Sequence, residues 1–349
     1  MIHRGVVPGI SVLAARDDRI HLNLYLGRRA LEPVIEPLEN DTLYDLASLT
    51  KPLVTAFLVL HLIEKGALDL DTAVQRLFPA LPAGMTIRHL LTHTSGLPAW
   101  YPFYLTGDDC IDQITRLPLE SRPGTRVNYS CPGYILLYHV VNHVAGTAFA
   151  DLARRVILQP LGLRRTFFKV PENLVQETAP TEVGNGYERA LAERQHPEAA
   201  ASFPWRTNVI RGETHDANSH WMGGTAGNAG LFSTLGDLYT LSREFFPDRT
   251  TLLRPETAGL FWKNETPFKA AHRTAGFKMN SSLITSGGRA LARDAIGHSG
   301  FTGTSIWLEP RTRAVFIILS NRIHPHHRGH NFNRIRRRLH RLIRSDLGI

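Results

Sequence analysis

The chain carries Ser48-Leu49-Thr50-Lys51 directly before Pro52 and the apolar run 53–63. If a helix begins near residues 47–50, Ser48 and Lys51 lie on one face, with Cβ atoms about 5–6 Å apart. Proline is tolerated in the first turn of a helix, so Pro52 agrees with that start. A serine hydroxyl needs a neighbouring base to become a nucleophile. The spacing therefore predicts a nucleophilic Ser48 beside Lys51, at the positive end of a helix. The same four residues also occur at ordinary helix starts, which is the alternative interpretation.

Composition indicates an ordinary globular protein. The chain has 349 residues, enough for one large domain or two intimate ones, and no apolar run long enough to predict a membrane span. Its two cysteines, Cys110 and Cys131, predict neither a disulfide framework nor a metal cluster. The first residues lack the apolar core of a secretory signal, so we expect a cytoplasmic location unless a signal has been removed. The sequence does not indicate which oligomeric state the protein adopts.

The net charge of +9 comes largely from one region. Residues 322–344 contain eight arginines and no acid, while the remainder of the chain is close to neutral. Apolar residues recur there at helical spacing, which predicts an amphipathic helix with one packed face and one solvated arginine face. A nucleic-acid-binding surface is the alternative, but we expect no nucleic-acid partner.

Strand patterns stand at both ends of the chain and helical patterns lie between them. Residues 10–15 and 19–26 predict a hairpin, and the second strand alternates apolar and polar residues as a half-buried strand does. Residues 304–309 and 314–320 predict a second hairpin. The predicted fold class is therefore α+β: an antiparallel sheet built from both termini, flanked by helices, with an inserted mostly helical subdomain. We expect a single domain, 1–349, with an α/β lobe (1–63 plus 235–349) and a helical lobe (64–234).

Two further motifs carry polar side chains. Tyr129 follows Pro123-Gly124 and precedes an apolar segment, and a phenol held near a lysine can act as a general base. His298-Ser299-Gly300 stands at the head of the C-terminal strands, where glycine permits close approach of a ligand to a strand edge. Taken alone, Tyr129 also fits an ordinary helix start and His298 a half-exposed strand residue.

Taken in their order along the chain, these motifs resemble those of the serine β-lactamases of class C, the low-molecular-weight penicillin-binding proteins (DD-peptidases) and their esterase relatives. Ser48-x-x-Lys51 resembles the nucleophile motif, Tyr129-Ser130-Cys131 the Y-x-N motif and His298-Ser299-Gly300 the K-T-G box in its H-x-G form. The stretch 87–97, with His93 and Gly96, resembles a connecting segment of the family. The resemblance covers nearly the whole chain.

The resemblance implies a serine hydrolase without metal or cofactor that acts on a small-molecule or peptide substrate. Ser48 would form an acyl-enzyme, Lys51 and Tyr129 would share the proton transfers, and the N–H groups of Ser48 and Phe301 would form the oxyanion hole. It implies substrate binding by Cys131 and by the box His298-Ser299-Gly300. Two departures matter: Cys131 replaces the family's asparagine, and His298 replaces its lysine. The first argues against β-lactam or peptide recognition in its standard form, and the second argues against a dedicated β-lactamase more than against hydrolysis.

The stretch 212–234 resembles a branch of this superfamily that contains cell-wall hydrolases. There, His215, Asp216 and Asn218 would orient a polar substrate, or would only cap and pin the loop. We expect cleavage of an amide or ester in a cell-wall-derived peptide or muropeptide. A carboxylesterase for small esters is one alternative, and a non-catalytic peptide-binding pseudoenzyme is another. His324, His326, His327 and His330 form a histidine cluster in the sequence, but no acid or cysteine accompanies them, so we predict no metal site.

Overall fold

A seven-stranded antiparallel sheet, in the order β3-β2-β1-β9-β8-β7-β6, forms the centre of the molecule. The computed structural model describes residues 6–282 and 285–348. The strands are β1 (Gly9–Arg16), β2 (Arg19–Ala30), β3 (Glu36–Pro37), β4 (Tyr44–Asp45), β5 (Phe232–Ser233), β6 (Lys278–Met279), β7 (Ile296–Ser299), β8 (Ser305–Glu309) and β9 (Ala314–Ser320). β4 and β5 form a separate two-stranded sheet beside the nucleophile.

Both ends of the chain build the large sheet. β1 pairs with β2 on one side and with β9 on the other, where Leu13 lies opposite Ile317. β9 continues the sheet through β8 to β7, the strand that contains His298. The predicted α+β class and the sheet formed by both termini are confirmed. The lobe boundaries stay a prediction.

Helices cover the sheet and fill the middle of the chain. They are α1 (Phe57–Glu64), α2 (Ile87–Leu91), α3 (Cys110–Arg116), α4 (Cys131–Ala145), α5 (Phe149–Ala153), α6 (Gly186–Gln195), α7 (Pro197–Ser202), α8 (Ala217–Trp221), α9 (Leu235–Ser242), α10 (Pro255–Gly259) and α11 (Phe332–Leu347). 3₁₀ turns span Ala47–Leu49, Val74–Arg76, Phe103–Leu105, Glu172–Glu177 and Arg243–Phe245, and π-helical turns span Lys51–Ala56 and Arg154–Leu158. α6 and α7 lie within residues 175–211, which lack an apolar period; α6 is a largely polar helix and therefore leaves no such pattern.

The central strands are buried on both faces. Leu13 and Ile317 pack into the main core with α1 and α4, whereas Val12 and Ile318 pack on the other face against α11. Burial on both faces explains why β9 is a continuous apolar run, Ala314–Ser320, rather than an alternating one. The sheet thus holds β7, and with it His298, between two packed layers.

β2 differs from its predicted half-burial. Ile20, Leu24 and Leu26 are 44%, 36% and 45% exposed, and Leu22 alone of the four packs partly against the α11 layer. The layer that covers β1 and β9 reaches Leu22 but leaves the neighbouring apolar positions of this strand exposed, and the register of the strand against β1 shifts at Ala14/Ala15. The alternation identified the strand correctly but not its burial, because burial depends on the neighbouring layer.

Within the part of the chain that the structure describes, one helical stretch, Ala47–Glu64, has the length and mean hydropathy that could cross a membrane. However, 78% of it is buried inside the protein. We therefore identify it as the core helix of the fold.

Candidate active site

Ser48 lies in the 3₁₀ turn Ala47–Leu49, which leads through the π-helical turn Lys51–Ala56 into α1. The helical stretch begins where the sequence predicts, but its first turns are not α-helical. Ala47 has a φ of 48°, a left-handed conformation that costs a non-glycine residue about 1–3 kcal/mol. Its N–H donates to Asp45 Oδ1 at 2.8 Å, which holds the turn in place. The strained turn presents Ser48 to the cavity.

Lys51 is fully buried and lies against Ser48. Its Nζ donates to Ser48 Oγ at 3.0 Å and to the Asn228 carbonyl at 2.9 Å, and it lies 3.6 Å from Cys131 Sγ. The same Nζ lies 5.0 Å from the centre of the Tyr129 ring. The structure thus brings together the predicted nucleophile and both predicted proton carriers. Cys131 occupies the first position of α4 and contacts Lys51.

Burial and mutual charge set the protonation states of this group. Burial alone would lower the pKa of Lys51. Cys131 and Tyr129 together have a larger, opposite effect, so the pKa of Lys51 lies above its ordinary value. Burial raises the pKa of Tyr129 and of Cys131, against the opposing effect of Lys51. Because each group affects the pKa of the others through its charge, the three titrate as one coupled set rather than singly.

His93 positions Tyr129, a role that the motif pattern did not assign. The two rings lie 4.5 Å apart, His93 Nδ1 accepts the Ser130 N–H at 3.0 Å, and the His93 carbonyl accepts the Asn128 N–H at 2.8 Å. Burial, with Arg273 and Lys51 nearby, lowers the pKa of His93 well below its ordinary value, so the ring is neutral. The stretch 87–97 contains His93, but the spacing of residues in that stretch does not predict its contact with Tyr129.

His298 and Gly300 form the strand edge that faces Ser48. His298 Nδ1–H donates to the Ser299 carbonyl at 3.1 Å, and burial, with Arg273 and Lys51, lowers the pKa of His298 well below its ordinary value. A Cβ on Gly300 would lie 2.2 Å from Thr304 Oγ1 and 2.5 Å from the Leu46 carbonyl oxygen, so only glycine fits. Ser299 and Gly300 line the cavity beside a neutral imidazole.

Phe301 lies at the cavity wall with its ring held from several sides. The rings of Tyr187, His215 and His327 lie 4.8, 5.4 and 5.3 Å from it. Arg322 Nε donates to the Phe301 carbonyl at 2.9 Å. These contacts hold Phe301, whose N–H the resemblance implies for the oxyanion hole, and Ser48 and Phe301 line the same cavity.

His215, Asp216 and Asn218 bind other parts of the protein. His215 Nε2 lies 3.0 Å from Glu182 Oε2, and Asp216 accepts the Ser219 N–H and the Asn228 side-chain amide. Asn218 accepts the Phe103 N–H and donates to the Tyr101 carbonyl. None of the three lines the cavity that contains Ser48. The geometry favours the loop-pinning alternative, and through Asn228 and Phe301 this loop supports Lys51 and the cavity wall.

The catalytic cavity is about 490 Å³ and strongly basic. Arg273, Lys278, Arg322 and Arg336 line it, and none of its described lining residues is acidic. Arg273 is 7% exposed and forms no ion pair with any described residue, its Nε has no hydrogen-bond partner, and its guanidinium lies 5.7 Å from the Tyr129 ring centre. Burial lowers the pKa of Arg273; burial and Arg273 together lower that of Lys278 to about 8. These residues follow no recognisable sequence motif, so sequence reasoning missed them.

The C-terminal histidines have structural contacts. His324 Nδ1–H donates to the Thr181 carbonyl, and its Nε2 accepts the N–H groups of Leu31 and Glu32. His327 stacks on Phe301. Across residues 6–282 and 285–348 no group of three or more metal-ligating side chains is arranged to hold an ion.

The chain is similar in sequence to known proteins. A sequence model described as Beta-lactamase matches residues 1–340. A putative D-alanyl-D-alanine carboxypeptidase of Escherichia coli strain K12 is 28% identical, over 91% of this chain and 79% of its own length.

Solved structures share the fold. EstCE1, a hydrolase with promiscuous acyltransferase activity, matches with a TM-score of 0.73 at 22% identity, covering 97% of this chain and 95% of its own. A class C beta lactamase from Rhodobacter sphaeroides matches with a TM-score of 0.71 at 19% identity, covering 99% and 96%.

Proposed function

Because the chain belongs to the Beta-lactamase family and is a serine hydrolase, we propose that it cleaves a cell-wall-derived peptide through an acyl-enzyme on Ser48. The contact of 3.0 Å between Ser48 Oγ and Lys51 Nζ supports the chemistry. The buried Arg273 in the same cavity, which has no ion-pair partner among the described residues, carries the choice of substrate class. A carboxylate beside the scissile bond would neutralise it.

The proposed reaction begins when Ser48 Oγ attacks the carbonyl carbon. The Lys51–Tyr129 pair accepts the Ser48 proton in the form in which the pair has already lost one of its own, and the oxyanion is stabilised by the N–H groups of Ser48 and Phe301, each such donor lowering the barrier by about 3–4 kcal/mol. The pair then returns a proton to the departing amine as the carbon–nitrogen bond breaks. Water, deprotonated by the same pair, attacks the acyl-enzyme and releases the acid and free Ser48.

A buried guanidinium without an anionic partner is costly, and a bound carboxylate offsets that cost. Arg273 lies beside Tyr129, so a carboxylate bound there would place the adjoining amide carbonyl near Ser48. The putative carboxypeptidase relatives are named for peptides with such a terminal carboxylate. We therefore propose a peptide with a free C-terminal carboxylate, of the D-alanyl-D-alanine type.

The test compares a D-Ala-D-Ala peptide with its C-terminal amide, and both with a p-nitrophenyl ester. We expect kcat/KM to favour the free carboxylate by about tenfold to a hundredfold, the usual worth of a charged hydrogen bond. Arg273→Gln should remove that preference while ester hydrolysis continues, and Ser48→Ala should remove all turnover. Equal rates on acid and amide would contradict the proposed substrate class.

A carboxylesterase is the second candidate. Cys131 contacts Lys51 rather than the cavity and offers no amide to a peptide, and His298 is neutral. Turnover of esters alone would favour this function. Binding of the peptide with no turnover of any substrate would favour the pseudoenzyme.

A further inference from the structure

A second concave surface lies on the outer side of α11, and arginines form nearly all of it. This arginine cavity, of about 490 Å³, is lined by Arg289, Ala290, Arg334, Arg337 and Arg341. Positions 334, 337 and 341 are three and four residues apart, so they form one stripe of the helix. Arg289 comes from the loop between β6 and β7. Two separate segments of the chain thus bring four guanidinium groups to one place.

The charges of the arginine cavity are not balanced. The side chains of Arg289, Arg334 and Arg341 make no hydrogen bond or ion pair with any described residue, and Arg337 Nη1 donates to the Thr285 carbonyl at 3.2 Å. None of the described residues that line the arginine cavity is acidic.

Other arginines of α11 are used by the fold. Arg344 pairs with Glu309, and Arg336 donates to the Gly300 and Thr304 carbonyls. Like charges held together repel, and a bound anion removes that cost. The four arginines of the cavity therefore have the character of a ligand site rather than of structural support.

We propose that the arginine cavity binds a phosphate or diphosphate ester. Guanidinium groups match phosphate oxygens with paired, fork-like hydrogen bonds, and several converging guanidinium groups suit an anion with more than one charge. A single carboxylate would leave most of the positive charge unmatched. The concave shape suits one small polyanionic group, and the exposed side chains of Arg289, Arg334 and Arg341 leave it open to such a group from solvent.

The arginine cavity shares a wall with the catalytic cavity. Asn333 and Arg336 line the catalytic cavity, and their neighbours Arg334 and Arg337 line the arginine cavity. Thr285, whose carbonyl accepts from Arg337, also lines the catalytic cavity. The phosphate would therefore belong either to a distal part of the substrate or to a separate effector. Binding itself does not depend on the hydrolysis proposed above.

Titration calorimetry with inorganic pyrophosphate, at constant ionic strength, tests the binding. We expect saturable binding by the wild type and at least about tenfold weaker binding by the double variant Arg334→Gln/Arg341→Gln, which removes two charge-assisted contacts. Arg338→Gln is the matched control, because it removes an exposed arginine of the same helix that does not line the cavity. Absence of binding at millimolar pyrophosphate, an unchanged double variant, or an equal loss in Arg338→Gln would overturn the proposal.

Hydrolysis assays separate the two sources of phosphate. If the substrate supplies it, an ester with a phosphate tail has a lower KM than the uncharged ester, and pyrophosphate competes with the tailed ester only. If an effector supplies it, pyrophosphate changes kcat on the uncharged ester, and the double variant loses that response. Binding without either effect would overturn both functional roles. Complete absence of hydrolysis in the wild type, with pyrophosphate binding intact, would count against the proposed hydrolase substrates and leave the phosphate site supported.

Discussion

At the scale of residues, we propose that Lys51 and Tyr129 act as one proton-carrying unit. Both side chains lie close to Ser48. The pKa of Lys51 depends on the charge of its neighbours, Tyr129 among them. Groups coupled in this way titrate as a pair rather than singly. Removing either one should therefore disable the other's contribution as well.

Lys51→Ala and Tyr129→Phe should each strongly lower the rate of acylation, and the double variant should be little worse than the poorer single one, as for other residues that act as a unit. Labelling by a fluorophosphonate probe, followed by mass spectrometry of the Ser48 peptide, gives the rate. Ser48→Ala should remove the label. Strictly additive losses would instead indicate two independent roles.

The pH profile should separate catalysis from substrate binding. Because the pKa values of Lys51 and Tyr129 lie above their ordinary values, kcat/KM on an uncharged ester should rise from neutral to strongly alkaline pH. His298 adds no step near pH 6.5, since its pKa lies well below that. Lys278 loses its charge above about pH 8, so KM for a carboxylate-bearing peptide should rise there.

The Lys278 step has its own control. Lys278→Met should abolish the rise in KM on the peptide and leave the profile on the uncharged ester unchanged. A rise of equal size on the uncharged ester would assign the step to another group.

The absence of an amide at Cys131 affects β-lactam chemistry. We expect slow or absent turnover of classical cephalosporins, because Cys131 Sγ lies against Lys51 and provides no amide for the side chain of the substrate. Nitrocefin hydrolysis measures this directly. A kcat/KM near the diffusional ceiling of about 10⁸ M⁻¹s⁻¹ would contradict it.

At the scale of elements, the C-terminal helix α11 holds the loop between β7 and β8 that faces Ser48. The buried Arg336 donates to the Gly300 carbonyl at 3.1 Å and to the Thr304 carbonyl at 2.8 Å, on either side of Phe301. Thr304 Oγ1 in turn donates to the Leu46 carbonyl, next to the nucleophile turn. One helix residue thus links both halves of the implied oxyanion hole.

Arg336→Met should lower kcat on a small ester by about tenfold to a hundredfold, less than the 10²–10³ typical for loss of a whole oxyanion donor. KM should change much less, since the small ester makes no contact that requires this charge. Arg338→Met, on the exposed side of the same helix, should leave kcat unchanged. A melting curve separates a loss of folding from a loss of rate, and a change in KM alone would contradict the positioning role.

The elements show why some features could be predicted and others not. Ser48 and Lys51 are one helical turn apart, and β8 and β9 are joined by a short turn, so local patterns sufficed for both. Arg273 reaches the cavity only through the packing of distant segments. The exposure of Leu26 on β2 likewise depends on where α11 ends its coverage of the sheet. The spacing of residues along the chain therefore predicts neither the position of Arg273 nor the exposure of Leu26.

At the scale of the whole molecule, the pairing of β1 with β9 joins the two ends of the chain. The pairing lies in the middle of the sheet, with Leu13 opposite Ile317 and both side chains in the main core. β9 also carries β8 and β7, so the position of His298 relative to Ser48 depends on this contact. The stability of the sheet centre and the geometry of the site are therefore linked.

Ile317→Ala should lower the free energy of unfolding by about 2–5 kcal/mol, the usual cost of such a truncation in a closed core. Leu26→Ala is the matched control: it lies in the same sheet but is 45% exposed, so its change should stay within about 0.5 kcal/mol. Urea denaturation followed by fluorescence measures both. Similar losses in the two variants would show that β2 is covered in solution, for example by another copy of the chain, and that its exposed apolar side chains belong to an interface.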